Sequence, residues 1–191
     1  MGLLGFMAAF ESAFQSLGMQ EYQLGRAREY AEALAYAGLS FAVPFALGEP
    51  QLLVGSVVNA GIVMAALNVR GWKLLPVLML PSVAVIARGI VFGPLTLSLA
   101  YMMPFIWVGN FLLAWSVKEL AFARKINRWA ALLSGSALKA AFLFASAYAL
   151  VSAGILPEIF LVAMGAMQLY TAIAGGIAAF GLQAIKARLV G

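Results

Sequence analysis

The stretch QLLVGSVVNAGIVMAALNVRGWK, residues 51–73, decides the class of fold. Residues 51–69 include no charged side chain, and the run ends at two cations, Arg70 and Lys73. About 20 mostly apolar residues are enough for an α-helix to cross the hydrocarbon core of a bilayer. Lys and Arg accumulate on the cytoplasmic side of membrane proteins. The stretch therefore predicts a membrane-spanning helix that ends at the cytoplasmic surface.

The composition of the whole chain agrees with this interpretation. Of 191 residues, 64% are hydrophobic, and only 12 are Lys or Arg and 7 are acidic. A soluble domain is about 45–50% apolar and about 25% charged, so this chain has too little polar surface to face water. We therefore expect an integral membrane protein in contact with the lipid bilayer. In this setting the net charge of +5 marks a cytoplasmic face and does not indicate nucleic-acid binding.

Five further apolar segments of similar length flank the quoted stretch, separated by Pro, Gly and charged residues. The six predicted spans cover residues 29–47, 51–69, 74–91, 95–117, 129–155 and 159–185, with a polar loop at 118–128. Ten of the twelve cations then fall at the two termini or in loops on one side, and none falls in the loops on the other side. The sequence thus predicts an all-α bundle of six transmembrane helices with both termini in the cytoplasm.

Residues 1–24 have a different pattern. Their apolar residues recur at steps of three and four, which makes one apolar stripe on a helix: Leu3, Met7, Phe10, Phe14 and Leu17. We expect an additional amphipathic N-terminal helix, lying in the membrane interface or packed on the bundle. Residues 25–191 form a single domain in this prediction, and a seventh span is the alternative interpretation of the N-terminal segment.

The residue types that are absent narrow the chemistry. The chain has no Cys, no His and no Asp. Cys-ligated clusters and disulfides are therefore excluded, and so are the commonest metal ligand and the commonest general base. We predict no metal site, no cofactor and no catalytic residues.

Two cations remain within predicted spans, Arg88 and Lys139. An ionisable side chain at such depth costs at least about 2.5 kcal/mol and usually faces the bundle interior with a partner. No acidic residue lies at a matching depth, so the partner is expected to be an anionic ligand, carbonyl oxygens or water. Arg88 has the alternative of reaching the outer interface along its own side chain.

Other polar or aromatic side chains lie at similar depth in the remaining spans. If their helix faces converge, they form a pocket for a small molecule. The candidate substrate-binding residues are Asn59, Arg88, Trp107, Asn110, Lys139, Gln168 and Thr171. The alternative is that the amides only hydrogen-bond between helices.

The first span has small residues at four-residue spacing, Ala27, Ala31 and Ala35, with Ala33 and Ala37 beside them. Small residues at this spacing let another helix approach closely. The stripe predicts either packing within the bundle or docking of a partner protein.

Together these features resemble a substrate-binding S component of an energy-coupling factor (ECF) transporter. The resemblance is closest to a group of small S-component-like membrane proteins, on four stretches: residues 54–60, 103–110, 137–144 and 168–172, the last leading to Gly175-Gly176. Some proteins of this group are labelled "iron hydrogenase", but a hydrogenase iron cluster needs thiolate ligands that this chain lacks.

The resemblance implies a function and partners. An S component sits in the plasma membrane of a prokaryote and captures a vitamin or related nutrient from the outer side. It works with a transmembrane T component and ATPase subunits, and the alanine stripe of its first span contacts the T component. On this basis Ala27, Ala31 and Ala35 are predicted to dock the partner, and a small anionic solute is expected in an outward-facing pocket.

Other functions remain open from the sequence. Ser136 precedes Lys139 by three residues, and a Ser–Lys pair on one helix face is in principle a nucleophile and its base. A structural or anchoring subunit of a larger membrane complex would use the buried polar residues as contacts between helices. A self-sufficient channel or carrier is the remaining alternative.

Overall fold

The computed structural model describes residues 11, 15–22, 24–47, 49–92 and 95–190, and all regular structure in these ranges is helical. The helices are α1 (Arg26–Ala46), α2 (Gln51–Asn68), α3 (Leu75–Phe92), α4 (Thr96–Lys118), α5 (Arg128–Ser152), α6 (Ile159–Met164) and α7 (Ala166–Val190). A 3₁₀ turn at Gly71–Leu74 leads into α3, and a π-helical turn at Glu119–Ala123 extends α4.

Five helical segments within the described ranges are long and apolar enough to cross a membrane. They are Gln51–Asn68, Gly71–Gly89, Thr96–Ala123, Arg128–Ser152 and Ile159–Arg188. This fits a multi-pass membrane protein. Helix α1 has 21 residues but is not one of the five. Its first turns carry Arg26, Arg28, Glu29 and Glu32, which lower its average apolarity.

Helix α2 lies at the centre of the bundle, where it contacts α1, α3, α4 and α7. It is the most buried of the five segments. An apolar helix surrounded by neighbours is apolar on all its faces, which explains why residues 51–69 show no polar stripe.

The buried apolar side chains form two clusters. The larger one lies where α2 and α4 end and α3 and α5 begin, with Leu67, Val77, Leu113 and Leu132 at its centre. The smaller one lies towards the other end of the molecule and contains Met102, Leu143 and Phe160. We call the end that holds residues 69–74 and 119–127 the basic end, because these segments carry most of the cations between helices.

The bounds of the helices agree with the sequence prediction to within about three residues, with two exceptions. The predicted loop at 118–128 is shorter than expected, because α4 includes Lys118 and continues as the π-helical turn, with both Lys118 and Glu119 buried. The predicted span 159–185 is not one continuous helix, because the chain breaks at Gly165 between α6 and α7.

The break at Gly165 leaves no room for a side chain. A Cβ atom at this position would lie 2.8 Å from the Leu161 carbonyl oxygen and 2.9 Å from Cδ2 of Phe144. Only glycine fits this close approach, at the residue that separates α6 from α7.

Most of the predicted N-terminal helix lies outside the described residues, including Leu3, Met7, Phe10 and Phe14. Residues 15–22 are described and lie against the basic end of the bundle. The backbone N–H of Glu21 donates to the Leu67 carbonyl oxygen at 2.8 Å, and Lys118 Nζ donates to the Met19 carbonyl oxygen. Gln183 Nε2 donates to Glu21 Oε2 at 2.9 Å.

The closest helix packing is between α2 and α7, and glycine makes it close. A Cβ atom at Gly175 would overlap the Ser56 carbonyl oxygen and would lie 2.7 Å from the Ala60 backbone nitrogen. Both atoms belong to the backbone of α2 and cannot move aside as a side chain can. Small residues allow such backbone contact between helices in membranes.

We therefore expect Gly175→Ala to lower the free energy of unfolding by about 1–3 kcal/mol, the usual cost of overpacking. Thermal unfolding in detergent, followed by circular dichroism, measures this effect. Gly181→Ala on the same helix is the matched control, because no atom lies within 4 Å of its added Cβ. If both variants unfolded at the same temperature as the wild type, the proposed backbone contact would be wrong.

Candidate functional site

A hydrogen-bonded group of polar side chains lies in the middle of the bundle. Lys139, near the midpoint of α5, is 2% exposed. Its Nζ donates to Asn59 Oδ1 on α2 at 2.6 Å and to Asn110 Oδ1 on α4 at 2.8 Å. Two amide oxygens from two other helices therefore hold the ammonium in place.

The two asparagines are themselves fixed by further bonds. Asn59 Nδ2 donates to Thr171 Oγ1 on α7 at 3.1 Å, and Thr171 Oγ1 donates to the Met167 carbonyl oxygen at 2.8 Å. Asn110 Nδ2 donates to the Leu78 carbonyl oxygen on α3 at 2.8 Å. Both amide nitrogens are thus used as donors, which leaves the amide oxygens oriented towards Lys139. The group joins α2, α3, α4, α5 and α7.

No acidic side chain in the described ranges forms an ion pair with Lys139. A lysine ammonium has three N–H donors. Two of them reach the amide oxygens, and the third has no acceptor within the part of the chain that the structure describes. The positive charge in the centre of the bundle is therefore solvated by dipoles alone.

A cavity of about 390 Å³ reaches this group. Its wall is mostly apolar, with a small number of polar side chains. The apolar and glycine residues of the wall are Pro44, Val54, Gly55, Val58, Pro81, Val85, Leu95, Leu99, Ile106 and Met164. The polar ones are Glu49, Gln51, Asn59, Ser82, Asn110, Lys139 and Gln168. This size and this lining are typical of small-molecule sites.

The cavity extends from the middle of the bundle towards the end opposite the basic end. Glu49 and Gln51 precede or begin α2, and Leu95 immediately precedes α4. These residues are near the loops on that side, whereas Lys139, Asn59 and Asn110 are about halfway along their helices. Lys139 therefore lies at the inner part of the cavity, and Glu49 lies near its opening.

The structure brings together most of the predicted site residues. Asn59, Asn110, Lys139 and Gln168 line the cavity, and Thr171 supports Asn59 from behind. Trp107 is not part of the wall, but its Nε1 donates to Ser82 Oγ at 2.7 Å, and Ser82 is part of the wall. The same Nε1 also lies 3.3 Å from the Met79 carbonyl oxygen, so Trp107 is bound to α3 beside the cavity.

Arg88 lies apart from this group of residues. It is not among the residues of the cavity wall. Its Nη1 donates to the carbonyl oxygens of Phe45 and Ala46 at 2.8 Å each. These are the last carbonyls of α1, which have no partner within the helix, and a cation there also interacts favourably with the helix dipole. Arg88 therefore has carbonyl oxygens as its partners, which is one of the alternatives expected from the sequence.

The alanine stripe of α1 is on the surface of the bundle. Ala27, Ala31 and Ala35 are exposed, whereas Ala33 and Ala37 are buried in the larger apolar cluster. The two sets of alanines on this helix therefore face different surroundings, and the first set is available to another protein or to lipid.

Three polar residues of the cavity wall were missed at the sequence level: Glu49, Gln51 and Ser82. The sequence places Glu49 only in the short loop between the first two predicted spans. The signal was its position directly before Pro50 and α2, at the end of the bundle towards which the polar faces open. Ser82 is one serine in an apolar span, and nothing in the sequence distinguishes it from a packing residue.

A second cavity, of about 430 Å³, lies near the basic end. Its wall includes Leu17, Trp72, Leu75, Leu78 and Phe111, and none of the predicted substrate-binding residues. Because it has almost no polar groups to orient a ligand, the smaller cavity with Lys139 is the better candidate for a specific site.

The fold and the site define a class of protein: an all-helical membrane bundle with a polar group at the inner end of a cavity. A scan of protein-family models, a search of curated proteins and a search of solved structures each found no match to this chain. The residues and their geometry are therefore the basis for any functional proposal.

The bond between Asn59 and Thr171 can be tested by substitution. Thr171→Val removes the acceptor and leaves Asn59 Nδ2 without a partner, at nearly unchanged side-chain volume. We expect a loss of about 1–2 kcal/mol in the free energy of unfolding, as for buried hydrogen bonds between membrane helices. Denaturant or thermal unfolding in detergent measures it.

Thr171→Ser is the control, because it keeps the hydroxyl and removes only a methyl group. It should be more stable than the valine variant. The reverse order of stability would show that the methyl contact with Gly55, and not the hydrogen bond, is what Thr171 contributes.

Proposed function

We propose that the chain is the membrane-embedded substrate-capture subunit of an ATP-driven uptake system, of the ECF S-component type. In this proposal it binds a small nutrient or vitamin-like solute with an anionic group, in the cavity that ends at Lys139. The single observation that carries the proposal is the buried ammonium in the cavity wall, with no acidic partner in the part of the chain that the structure describes.

The positive charge of Lys139 has an energetic cost in the membrane. An unpaired cation at mid-membrane depth is costly, and such residues usually mark a substrate or ion pathway. A carboxylate or phosphate group in the cavity would supply both the missing counter-charge and an acceptor for the third N–H. The hydrogen bond would be charge-assisted, the stronger kind. Gln168 and Ser82 offer further hydrogen bonds to fix the orientation of the solute.

The proposal also includes the orientation of the bundle in the membrane. We take α1 as a sixth span, because its length matches that of its neighbours and Arg88 binds its end. With the basic end in the cytoplasm, both termini are cytoplasmic and the cavity opens outwards. The protein would be a multi-pass protein of a prokaryotic plasma membrane, placed to capture solutes from outside.

Energy has to come from partners in this proposal. The sequence contains no phosphate-binding loop of the GxxxxGK[ST] type, so the ATPase activity is assigned to separate subunits. A transmembrane T component is proposed to dock on α1, and the exposed alanines Ala27, Ala31 and Ala35 support this because their small side chains allow close helix contact.

One observation favours a second function. The amide oxygens of Asn59 and Asn110 already give Lys139 two protein partners, and the group links five helices. A structural or anchoring subunit of a larger membrane complex would need such a group only as a contact between helices. It would bind no solute in the cavity.

Lys139→Met separates the two functions. Native mass spectrometry of protein purified gently from its own membranes should show a bound small molecule in the wild type. The Lys139→Met variant should lose it, because Met matches the length of the side chain without its charge. The matched control is Lys118→Met, since Lys118 is also fully buried but lies at the basic end and outside the cavity wall. That variant should keep the molecule.

Two results would contradict the transport proposal. One is a ligand-free wild-type protein, held in a complex with other membrane subunits. The other is a Lys139→Met variant that folds and keeps the bound molecule, because the ammonium would then not be the anchor.

The docking part of the proposal has its own test. Ala31→Leu combined with Ala35→Leu should block co-purification of the T component and ATPases, because two leucines hold the partner helix away from α1. Solute binding should not change. Ala174→Leu with Ala178→Leu is the matched control, since this exposed pair on α7 has the same spacing. Partner loss in both variants, or in neither, would contradict docking through the stripe of α1.

A further inference from the structure

The cavity has a negative group as well as a positive one. Glu49 belongs to its wall, and Glu49 and Lys139 are the two ionisable side chains in that wall among the described residues. The Glu49 carboxylate has no hydrogen bond and no ion pair within the described part of the chain, and the residue is exposed. It is therefore free to bind a cationic group of a ligand.

The two charges are far apart. Glu49 comes two residues before Gln51, the first residue of α2, and Lys139 is bound to Asn59 on the same helix. From Gln51 to Asn59 is eight residues, which at about 1.5 Å per residue is about 12 Å along the helix axis. A charge-assisted bond of about 2.8 Å at each end takes up part of this distance, so a ligand of about 10 Å fits between the two groups.

The wall between these charges is apolar with two amides. Val54 and Val58 project from α2 along the same cavity, and Gln51 and Gln168 offer both donors and acceptors. Such a wall suits a ligand with small apolar groups and polar atoms along its length, and with one charge at each end. A purely anionic ligand would instead meet the carboxylate of Glu49 as it entered.

We infer, on the basis of the proposed function above, that the solute is a zwitterion whose ammonium binds Glu49 and whose carboxylate binds Lys139, with about 10 Å between them. A linear peptide of about three residues has this separation, since each extended residue spans at most about 3.3–3.6 Å. A free α-amino acid does not fit, because both of its charges are attached to one carbon atom. The ligand class is therefore a short peptide or a peptide-like molecule of the same length.

The experiment uses the purified full-length protein in lipid nanodiscs and four probes: tri-alanine, N-acetyl-tri-alanine, tri-alanine amide and alanine. Isothermal titration calorimetry measures each dissociation constant. Tri-alanine should bind. Removing either end charge should weaken binding by about ten-fold or more, because each charge-assisted bond is worth at least that factor. Alanine should bind more weakly than tri-alanine by at least the same factor.

Two variants assign each charge to its partner. In Glu49→Gln, the N-acetyl form should bind within about two-fold of tri-alanine, while the amide form should still bind about ten-fold more weakly than tri-alanine. In Lys139→Met, the amide form should bind within about two-fold of tri-alanine, while the N-acetyl form should bind about ten-fold more weakly than tri-alanine. Lys118→Met should behave like the wild type with all four probes, because it is outside the cavity wall.

Three results would contradict the zwitterion, and they differ in whether the proposed function also fails. If N-acetyl-tri-alanine binds the wild type as tightly as tri-alanine does, Glu49 is not a partner and the zwitterion is overturned, while an anionic solute and the proposed function remain. If the molecule found by native mass spectrometry has no cationic group, the same conclusion follows. If no probe binds and the native protein is ligand-free, both the zwitterion and the proposed function are overturned.

Discussion

A lysine ammonium in the middle of a membrane-spanning bundle has to be solvated by the protein itself. Lys139 meets this requirement through the amide oxygens of Asn59 and Asn110, at 2.6 and 2.8 Å. The two amides are held in the required orientation by Thr171 and by the Leu78 carbonyl oxygen. Five helices contribute to this one group, so its hydrogen bonds help to set their relative positions.

Apolar packing surrounds the group without replacing it. One buried apolar cluster lies towards the basic end and a smaller one towards the other end. Lipid is as apolar as leucine, so burying leucine between helices gains little in a membrane, and close contact of small residues matters more. Gly175 against the backbone of α2, and Gly55 against Thr171, bring α2 and α7 close enough for the bond between Asn59 and Thr171.

Much of this arrangement follows from the sequence for clear reasons. Long apolar runs separated by Pro, Gly and cations form membrane-spanning α-helices in a bilayer. The helix bounds were therefore predicted to within a few residues. Polar residues in an apolar span are few and costly, which is why Asn59, Asn110, Lys139 and Thr171 could be expected to meet. The features that the sequence does not reveal depend on contacts between distant chain segments. The Phe144 ring lies close to Gly165 at the break between α6 and α7, and the carbonyl oxygen of Met19 accepts a hydrogen bond from the buried Lys118. The place of Arg88 depends on the end of α1, a helix that it meets only in the folded bundle.

The two buried lysines show why the cavity, and not burial alone, points to function. Lys118 and Lys139 are both fully buried and both donate to neutral oxygens. Lys118 lies at the basic end, close to the loop segments and the N-terminal residues that it binds, and no ligand is needed to explain it. Lys139 is bound by the amide oxygens of Asn59 and Asn110. It lies in the wall of a cavity whose other end carries the Glu49 carboxylate, which has no partner among the described residues. A group that served only to join helices would not need an opening to one side, or a second charge at that opening. The combination of a solvated cation, a cavity and a distant anion is best explained by a ligand with complementary charges at its two ends.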